Sequence, residues 1–284
     1  MIISLSGQLG SGKSTLCAYF KEQKGFEIFS TGTIHRRLAK EMNLSTLEFN
    51  ALLAKDKNTD LLIDGEMKKY ARENSGRDIV FDSRLAWHFI KESFKVFLLV
   101  APAAAARRVF SNRVSEEEKY SSLEDAAGGL IRRRAIETER FNEFYGVDCD
   151  DYENYDLIVD TSDADTETAA KIILSAYAAF SAKRPFVKYR VSPKNVYPTR
   201  KFSEIGRDLT KPIKLARAGG ALFITEGHKT VAEAIAGNEK IICAEASDKR
   251  SGEAVCKTLG TGAQREIIAD WEDKNGFVFG YYLE

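Results

Sequence analysis

The residues with the clearest chemical potential are the nine from Gly7 to Thr15, GQLGSGKST. They fit the pattern G-x-x-x-x-G-K-[ST], in which the backbone N–H groups of a glycine-rich loop surround phosphate oxygens. Lys13 has the length to reach the outer phosphates, and the Ser14 hydroxyl is a natural ligand for the Mg²⁺ that accompanies them. The residues predicted to form this phosphate site are Gly7, Gly10, Ser11, Gly12, Lys13, Ser14 and Thr15. The alternative is a glycine-rich turn that contains Lys-Ser by coincidence.

Such a loop is meaningful only between a strand and a helix, and the flanking sequence predicts both. Apolar residues within 2–5 predict a buried strand, and the apolar spacing of 16–20 predicts a helix whose positive end faces the loop. Further apolar runs predict strands at 25–29, 78–81, 96–100 and 155–160, alternating with helical segments such as 44–74 and 165–180. This alternation predicts an α/β fold with a doubly wound parallel sheet, in which ligands bind at the carboxyl ends of the strands.

The segment after the second predicted strand carries a cap and a basic pair. Ser30 or Thr31 can cap the helix that follows, and Arg36 and Arg37 fall about one turn later. No acidic neighbour occurs before Glu41, so a guanidinium here is available to bind an anion such as a phosphate. A capped surface helix with basic residues is the competing interpretation.

A second basic stretch lies between the fourth and fifth predicted strands, and it includes Arg107, Arg108, Arg113, Arg132, Arg133, Arg134 and Arg140. Arg133 and Arg140 are seven residues apart and share a helix face, with Glu137 on the same side. A helix laced by salt bridges is therefore the alternative. We expect at least one of these arginines to be functional, because phosphoryl transfer needs positive charge over its transition state.

Residues 1–182 resemble the nucleoside monophosphate kinases, and among them the cytidylate kinase-like proteins of the archaeal type. The segments that carry the resemblance are STGTIHR (30–36), DSRLAW (82–87), RRAIETERF (133–141) and YDLIVDTS (155–162). They occur in the order typical of that family, and the third resembles the second arm of its helical lid. The resemblance implies a P-loop kinase that transfers a phosphoryl group from ATP to a nucleoside monophosphate, CMP or dCMP.

The resemblance also implies roles for single residues. Residues 7–15 would hold the ATP phosphates and Mg²⁺. Asp82 would help to bind this Mg²⁺ through water. Thr31 would lie near the acceptor, and Arg36 and Arg84 would grip its phosphate. The lid arginines would be Arg113, Arg133 and Arg140, and the catalytic set would be Lys13, Arg84, Arg133 and Arg140. The sequence departs from the family pattern at three places. Ser83 stands where the family has glycine, Asp82 stands where it more commonly has glutamate, and residues 103–106 are all alanine where it has polar residues. The resemblance therefore does not determine which base the acceptor carries.

Residues 181–185 are predicted to form a linker, because the preceding helix ends there and Pro185 cannot continue it. Short strands are predicted at 186–191, 213–216, 222–224 and 240–244, a helix at 231–236, and β character at 277–282. The segments VSPKNVYPTR, KPIKL and FITEGHKTVAEAIAGNEKIICAE make residues 187–284 resemble the α+β ParB/sulfiredoxin-like fold. Gly227, His228 and Lys229 at a helix start are predicted to bind an anion. The alternative is that His228 caps or packs.

The amino-acid composition limits the kinds of partner that the protein is expected to bind. Basic and acidic residues both number 42, so the net charge is zero, and nothing indicates a general polyanion binder. Nucleic-acid binding stays open only for the second domain, and the oligomeric state is not predicted. No apolar run is long enough to span a membrane, and the N-terminus enters a strand at once, so we expect a cytoplasmic protein. The four cysteines form no C-x-x-C pair, and we expect them to be reduced.

Two other functions fit the same residues. The first alternative keeps the fold and changes the acceptor to another small phosphate or hydroxyl compound. The second is a non-catalytic nucleotide sensor, with the P-loop domain as switch and the second domain as effector. The lid-like arginine segment favours an enzyme, because a sensor has no transfer step to enclose.

Overall fold

The computed structural model describes residues 1–45, 48–49, 52, 57–111, 120–206, 209–258 and 262–279. The chain divides into two compact units. Unit 1 comprises Met1–Leu98 and Ala103–Asp156, and unit 2 comprises Leu99–Pro102 and Leu157–Glu284. The fifth strand and the helix after it, which the sequence assigned to the first domain, thus group with unit 2. The domain limits 1–182 and 187–284 stay a prediction.

Unit 1 contains a parallel sheet in the order β2-β3-β1-β4. Its strands are β1 (Ile2–Gly7), β2 (Glu27–Ser30), β3 (Ile79–Asp82) and β4 (Phe94–Leu99). The register pairs Asp82 of β3 with Leu5 of β1 on one side and with Ser30 of β2 on the other. Because all the strands run in the same direction, the polar residues at their carboxyl ends come together at one edge of the sheet. This part of the predicted fold is confirmed.

The helices of unit 1 are α1 (Lys13–Lys24), α2 (Thr31–Glu41), α3 (Lys57–Glu73), α4 (Ala86–Phe89), α5 (Pro102–Ser111) and α6 (Leu123–Tyr145). Serine hydroxyls cap two of them: Ser30 accepts from the backbone N–H of Thr33, and Ser122 accepts from that of Asp125. The predicted helical segment 44–74 is described only in part, and within it α3 is helical.

Unit 2 contains a mixed sheet in the order β5-β6-β9-β7-β8. Its strands are β5 (Leu157–Asp160), β6 (Tyr189–Val191), β7 (Ile213–Ala218), β8 (Ala221–Glu226) and β9 (Ile242–Ala246). The β5–β6 and β7–β9 pairs are parallel, whereas β6–β9 and β7–β8 are antiparallel. The helices are α7 (Thr166–Ser181), α8 (Phe202–Ile205), α9 (His228–Ala236), α10 (Lys249–Thr258) and α11 (Gly262–Asn275).

The end of the chain differs from the prediction. Residues 277–279 have no strand, residues 280–284 lie outside the described part, and α10 and α11 were not foreseen. The Trp271 indole of α11 is fully buried and donates to the Arg200 carbonyl over 2.8 Å. Phe279 is also buried, with its ring 5.4 Å from that of Tyr197. Trp271 therefore reaches the core from a helix and Phe279 from an irregular segment, although the apolar pattern at 277–282 resembles that of a strand.

Two further observations concern the chain as a whole. All four cysteines, which lie in the described part, are free thiols. Within the residues that the structure describes, no helix has the length and hydrophobicity needed to cross a membrane.

Candidate active site

The predicted phosphate loop lies where β1 gives way to α1. Lys13 is the first residue of α1, and its ammonium group folds back over the loop. Nζ donates to the carbonyl oxygens of Gly7, over 3.0 Å, and of Gln8, over 3.2 Å. Ser11 is buried, whereas Ser14 and Thr15 are exposed in the first turn of α1. Lys13 thus lies against the loop, where its positive charge adds to that of the loop N–H groups in binding phosphates.

Helix α5 packs closely against this loop. Gly10 has a φ of +75°, and a Cβ at this position would lie 2.8 Å from both Cα and Cβ of Ala105. Arg108 of the same helix donates through Nη1 to the Gly10 carbonyl over 3.3 Å. The alanines, which depart from the family pattern, therefore allow the close approach of the two segments. Arg108 is a contact of the phosphate loop that the sequence showed only as one of many arginines.

The carboxyl ends of β2 and β3 are joined through Asp82. Its carboxylate accepts a hydrogen bond of 2.9 Å from the Ser30 hydroxyl, and its backbone carbonyl accepts one of 3.4 Å from the Thr31 hydroxyl. Ser30 also caps α2. Thr31 and Asp82, which were predicted to serve the acceptor and the metal, are thereby brought together in a single network.

A buried carboxylate joins two of the predicted arginines. Glu137 of α6 forms an ion pair with Arg84, with 3.0 Å between Oε2 and Nε, and accepts a hydrogen bond of 3.1 Å from Arg133 Nε through Oε1. The exposed fractions are 13% for the Glu137 side chain, 21% for Arg84 and 25% for Arg133. Arg140 is buried on the same helix, with its guanidinium 4.8 Å from the centre of the Phe141 ring. The salt-bridged helix considered as an alternative is thus present, and it contains the predicted functional residues.

The charges of several of these groups act on the pKa of Lys13. Burial lowers it from 10.5 to about 7, and the neighbouring charges of Arg84 and Arg133 lower it as well. The charges of Asp82 and Glu137 act in the opposite direction. A lysine in this position gains from an arriving anion, because added negative charge stabilises its protonated form.

The pKa of Glu137 gives the same picture from the carboxylate side. Burial would raise it, yet the positive charges of Arg84, Arg133, Arg140 and Lys13 outweigh burial and lower it to about 2. Glu137 is therefore ionised throughout the physiological range. The site combines four cationic groups with two carboxylates, and its remaining positive charge suits phosphate oxygens.

Two predicted contacts cannot be placed. The side chain of Arg36 and the whole of Arg113 lie outside the described residues. Arg37, the neighbour of Arg36, is exposed and lies 3.8 Å from Glu41.

The residues predicted to hold Mg²⁺ offer one hydroxyl, from Ser14, and one carboxylate, from Asp82. Among the residues that the structure describes, no group of three or more His, Cys, Asp or Glu side chains could hold a metal ion. Mg²⁺ in kinases commonly uses one or two protein oxygens together with substrate phosphates and water. The donor set therefore fits Mg²⁺ that arrives with a nucleotide.

In unit 2 the predicted anion-binding residues begin α9. Gly227 has a φ of +85°, and a Cβ there would lie 2.8 Å from the Pro212 carbonyl oxygen. His228 is buried, and its Nε2 accepts from the backbone N–H of Thr199 over 3.2 Å. Its ring lies 6.4 Å from that of Trp271. His228 thus has the packing contacts of the alternative interpretation.

A cavity of about 510 Å³ surrounds the start of α9. Four basic residues line it, Arg200, Lys211, Lys214 and Lys229, together with the acidic Glu226 and Asp248. We call this the basic cavity. Lys211 and Lys214 both pair with Glu226, over 3.4 Å and 2.9 Å, so part of the positive charge is already compensated.

Comparison with known proteins places the phosphate site in context. The model of the cytidylate kinase-like family matches residues 2–163. The cytidylate kinase of Methanosarcina mazei is 36% identical over 163 residues, which are 57% of this chain and 87% of that protein. The cytidylate kinase of Methanothrix thermoacetophila is 34% identical over 179 residues, which are 63% of this chain and 99% of that protein.

A longer protein and a solved structure match as well. The S-adenosylmethionine-dependent nucleotide dehydratase of Lacinutrix mariniflava is 34% identical over 194 residues, 66% of this chain and 39% of that protein. The structure of shikimate kinase from Acinetobacter baumannii aligns with 63% of this chain and 93% of that chain, at 14% identity and a TM-score of 0.38.

Proposed function

Because the chain belongs to the cytidylate kinase-like family through residues 2–163, we propose that it transfers the γ-phosphoryl group of ATP to a nucleoside monophosphate, CMP or dCMP. The products are ADP and the nucleoside diphosphate. Two relatives that match most of their own length are named cytidylate kinase, which supports this reaction. The observation in the molecule that supports the proposal is the placement of Lys13 Nζ against the loop carbonyls of Gly7 and Gln8, together with the pairing of Arg84 and Arg133 through Glu137.

The reaction requires positioning of the two phosphates and neutralisation of their negative charge rather than a strong base. The acceptor phosphate is already an anionic nucleophile, so catalysis consists of aligning two phosphates and neutralising the charge between them. The loop amides and Lys13 hold the donor phosphates. Ser14, and Asp82 through water, would hold Mg²⁺, which would supply further neutralisation of the donor phosphate oxygens.

The arginines serve the acceptor and the transferring group. Arg84 grips the acceptor phosphate with Arg36, and Thr31 lies near the acceptor nucleotide. Arg133, Arg140 and Arg113 cover the transferring phosphoryl group from the lid. Their guanidinium groups suit the spread negative charge of the transition state.

The experiment is a coupled assay of ADP release with a panel of CMP, dCMP, UMP, AMP, GMP and no acceptor. CMP or dCMP should increase ADP release above the acceptor-free rate by several orders of magnitude. Strong turnover with a different small acceptor would replace the proposed substrate. ATP binding without turnover on any acceptor would favour a nucleotide-sensing regulator instead.

For residues 187–284 we propose a ParB/sulfiredoxin-like module that binds a small anion in the basic cavity. The surplus of basic over acidic lining residues supports an anionic ligand. Gly227 and Lys229 contribute from the start of α9, and His228 contributes by fixing that start against Thr199. We also propose that the protein is cytoplasmic, as the sequence analysis predicts.

A further inference from the structure

Glu137 occupies an unusual position among the charges of unit 1. Each of its two carboxylate oxygens contacts a different arginine, and both contacts go to the Nε atom of the guanidinium. Arg133 lies one helical turn before Glu137 on α6, whereas Arg84 comes from the segment just after β3. One carboxylate therefore ties the lid helix to the edge of the sheet where ligands bind.

A carboxylate between two guanidinium groups limits where each of them can lie. Arg84 and Arg133 carry like charges, and without the Glu137 carboxylate they would repel each other. A guanidinium that is already held in place loses less side-chain freedom when it binds a phosphate.

We infer that Glu137 is a positioning residue, which holds the guanidinium groups of Arg84 and Arg133 where they can neutralise the phosphates. This inference rests on the proposed function, because it assigns the arginines to a phosphoryl transfer. Glu137 contacts neither phosphate in this role and acts only through the two arginines. The alternative role for Glu137 is that of a counterion that occupies the place of the phosphate. In that role its removal would tighten anion binding, because the arginines would lose a competing carboxylate.

The first test compares Glu137→Gln with Glu139→Gln in the ADP-release assay, with kcat and the KM for CMP measured separately. Glutamine keeps the volume but offers one carbonyl oxygen, and its amide N–H groups oppose the second guanidinium. Misplaced arginines should lower kcat about 100-fold. Glu139→Gln removes the same charge from an exposed position on the same helix and should change kcat less than about twofold.

The second test asks whether Glu137 acts through Arg84. In the wild-type background, Arg84→Ala should lower kcat/KM strongly, and in the Glu137→Gln background it should add only a small further loss. Additive losses would overturn the inference, because they would mean that Glu137 acts independently of Arg84. Unchanged kcat or tighter CMP binding in Glu137→Gln would overturn it as well.

Folding is monitored by thermal melting, and Glu137→Asp provides a second variant if Glu137→Gln does not fold. Aspartate keeps the charge, but its shorter stem cannot contact both Nε atoms, so kcat should again fall at least about tenfold. A wild-type kcat in Glu137→Asp would contradict the inference. Failure of the wild-type protein to phosphorylate any monophosphate would instead overturn the proposed function. In that case CMP affinity measured by calorimetry takes the place of kcat, and Glu137→Gln must still weaken it at least about tenfold relative to Glu139→Gln.

Discussion

The phosphate site of unit 1 and the basic cavity of unit 2 both gather positive charge, but they do so in different ways. In the phosphate site, Lys13 begins α1 and Arg84 follows β3, and the Glu137 side chain, which is 13% exposed, pairs with Arg84 and Arg133. In the basic cavity, Lys211 and Lys214 are half exposed and pair with Glu226 at its edge. Buried and ordered charges make strong, specific contacts, whereas exposed pairs contribute little each. Single substitutions should therefore have large effects in the first site and small ones in the second.

The largest effect is expected at Lys13. Lys13→Ala removes the ammonium that folds over the loop, so kcat with ATP and CMP should fall at least about 1,000-fold. The ADP-release assay measures the loss. Lys21→Ala, which changes an exposed lysine on the same helix, should keep wild-type turnover. Near-normal activity in Lys13→Ala would remove the distinction between the two sites.

The next effect concerns the contact between the phosphate loop and α5. Gly10→Ala places a Cβ 2.8 Å from the Cα of Ala105 at a φ of +75°. The left-handed conformation costs about 1–2 kcal/mol and the overlap about 1–3 kcal/mol more. Urea unfolding should therefore show a loss of about 2–5 kcal/mol, accompanied by weaker ATP binding.

Gly25 offers a matched control for this substitution. It has a φ of +72° at the end of α1, and nothing lies within 4 Å of a Cβ built there. Gly25→Ala should therefore cost only the conformational part, about 1–2 kcal/mol, and leave ATP affinity unchanged. Equal losses of stability in the two variants would show that α5 does not constrain the loop.

The pH dependence of ATP binding sharpens the comparison further. The pKa of Lys13 is lowered to about 7, first by burial and then by Arg84. Bound phosphates favour the charged lysine, so binding takes up a proton when the pH exceeds that value. ATP affinity should fall by up to about tenfold per pH unit from about pH 7.5 upward, and calorimetry in two buffers should detect the proton uptake. Lys13→Ala should abolish this uptake, and uptake that persists in the variant would place the titrating group elsewhere.

The sequence predicted the parallel sheet of unit 1 closely. The buried strands of such a sheet are continuous apolar runs, and the predicted limits of β2, β3 and β4 differ from the observed ones by about two residues at most. The carboxyl end of the chain was harder. Trp271 and Phe279 are aromatic residues of a core, and a core residue in a helix or an irregular segment looks much like one in a strand.

The residues of the site also differ in how well the sequence predicts them. The phosphate loop is a local pattern, so its glycines and Lys13 could be found from spacing alone. The pair Arg133 and Glu137 is also local, because the two residues are one helical turn apart. The contact of Glu137 with Arg84 and that of Arg108 with Gly10 join distant parts of the chain, and only the fold brings them together.

The smallest effect is expected in the basic cavity. Lys229 is one of four basic residues there, so Lys229→Ala should weaken pyrophosphate binding only several-fold. Calorimetry in a Lys13→Ala background measures this binding with the phosphate site already impaired. Lys257→Ala, an exposed change on α10, is the control and should have no effect. A loss of 100-fold or more from Lys229→Ala would mean that this lysine is held as firmly as Lys13, because only a desolvated and ordered charge contributes that much. Unit 2 would then contain a second specific phosphate site, and the contrast between the two units would disappear.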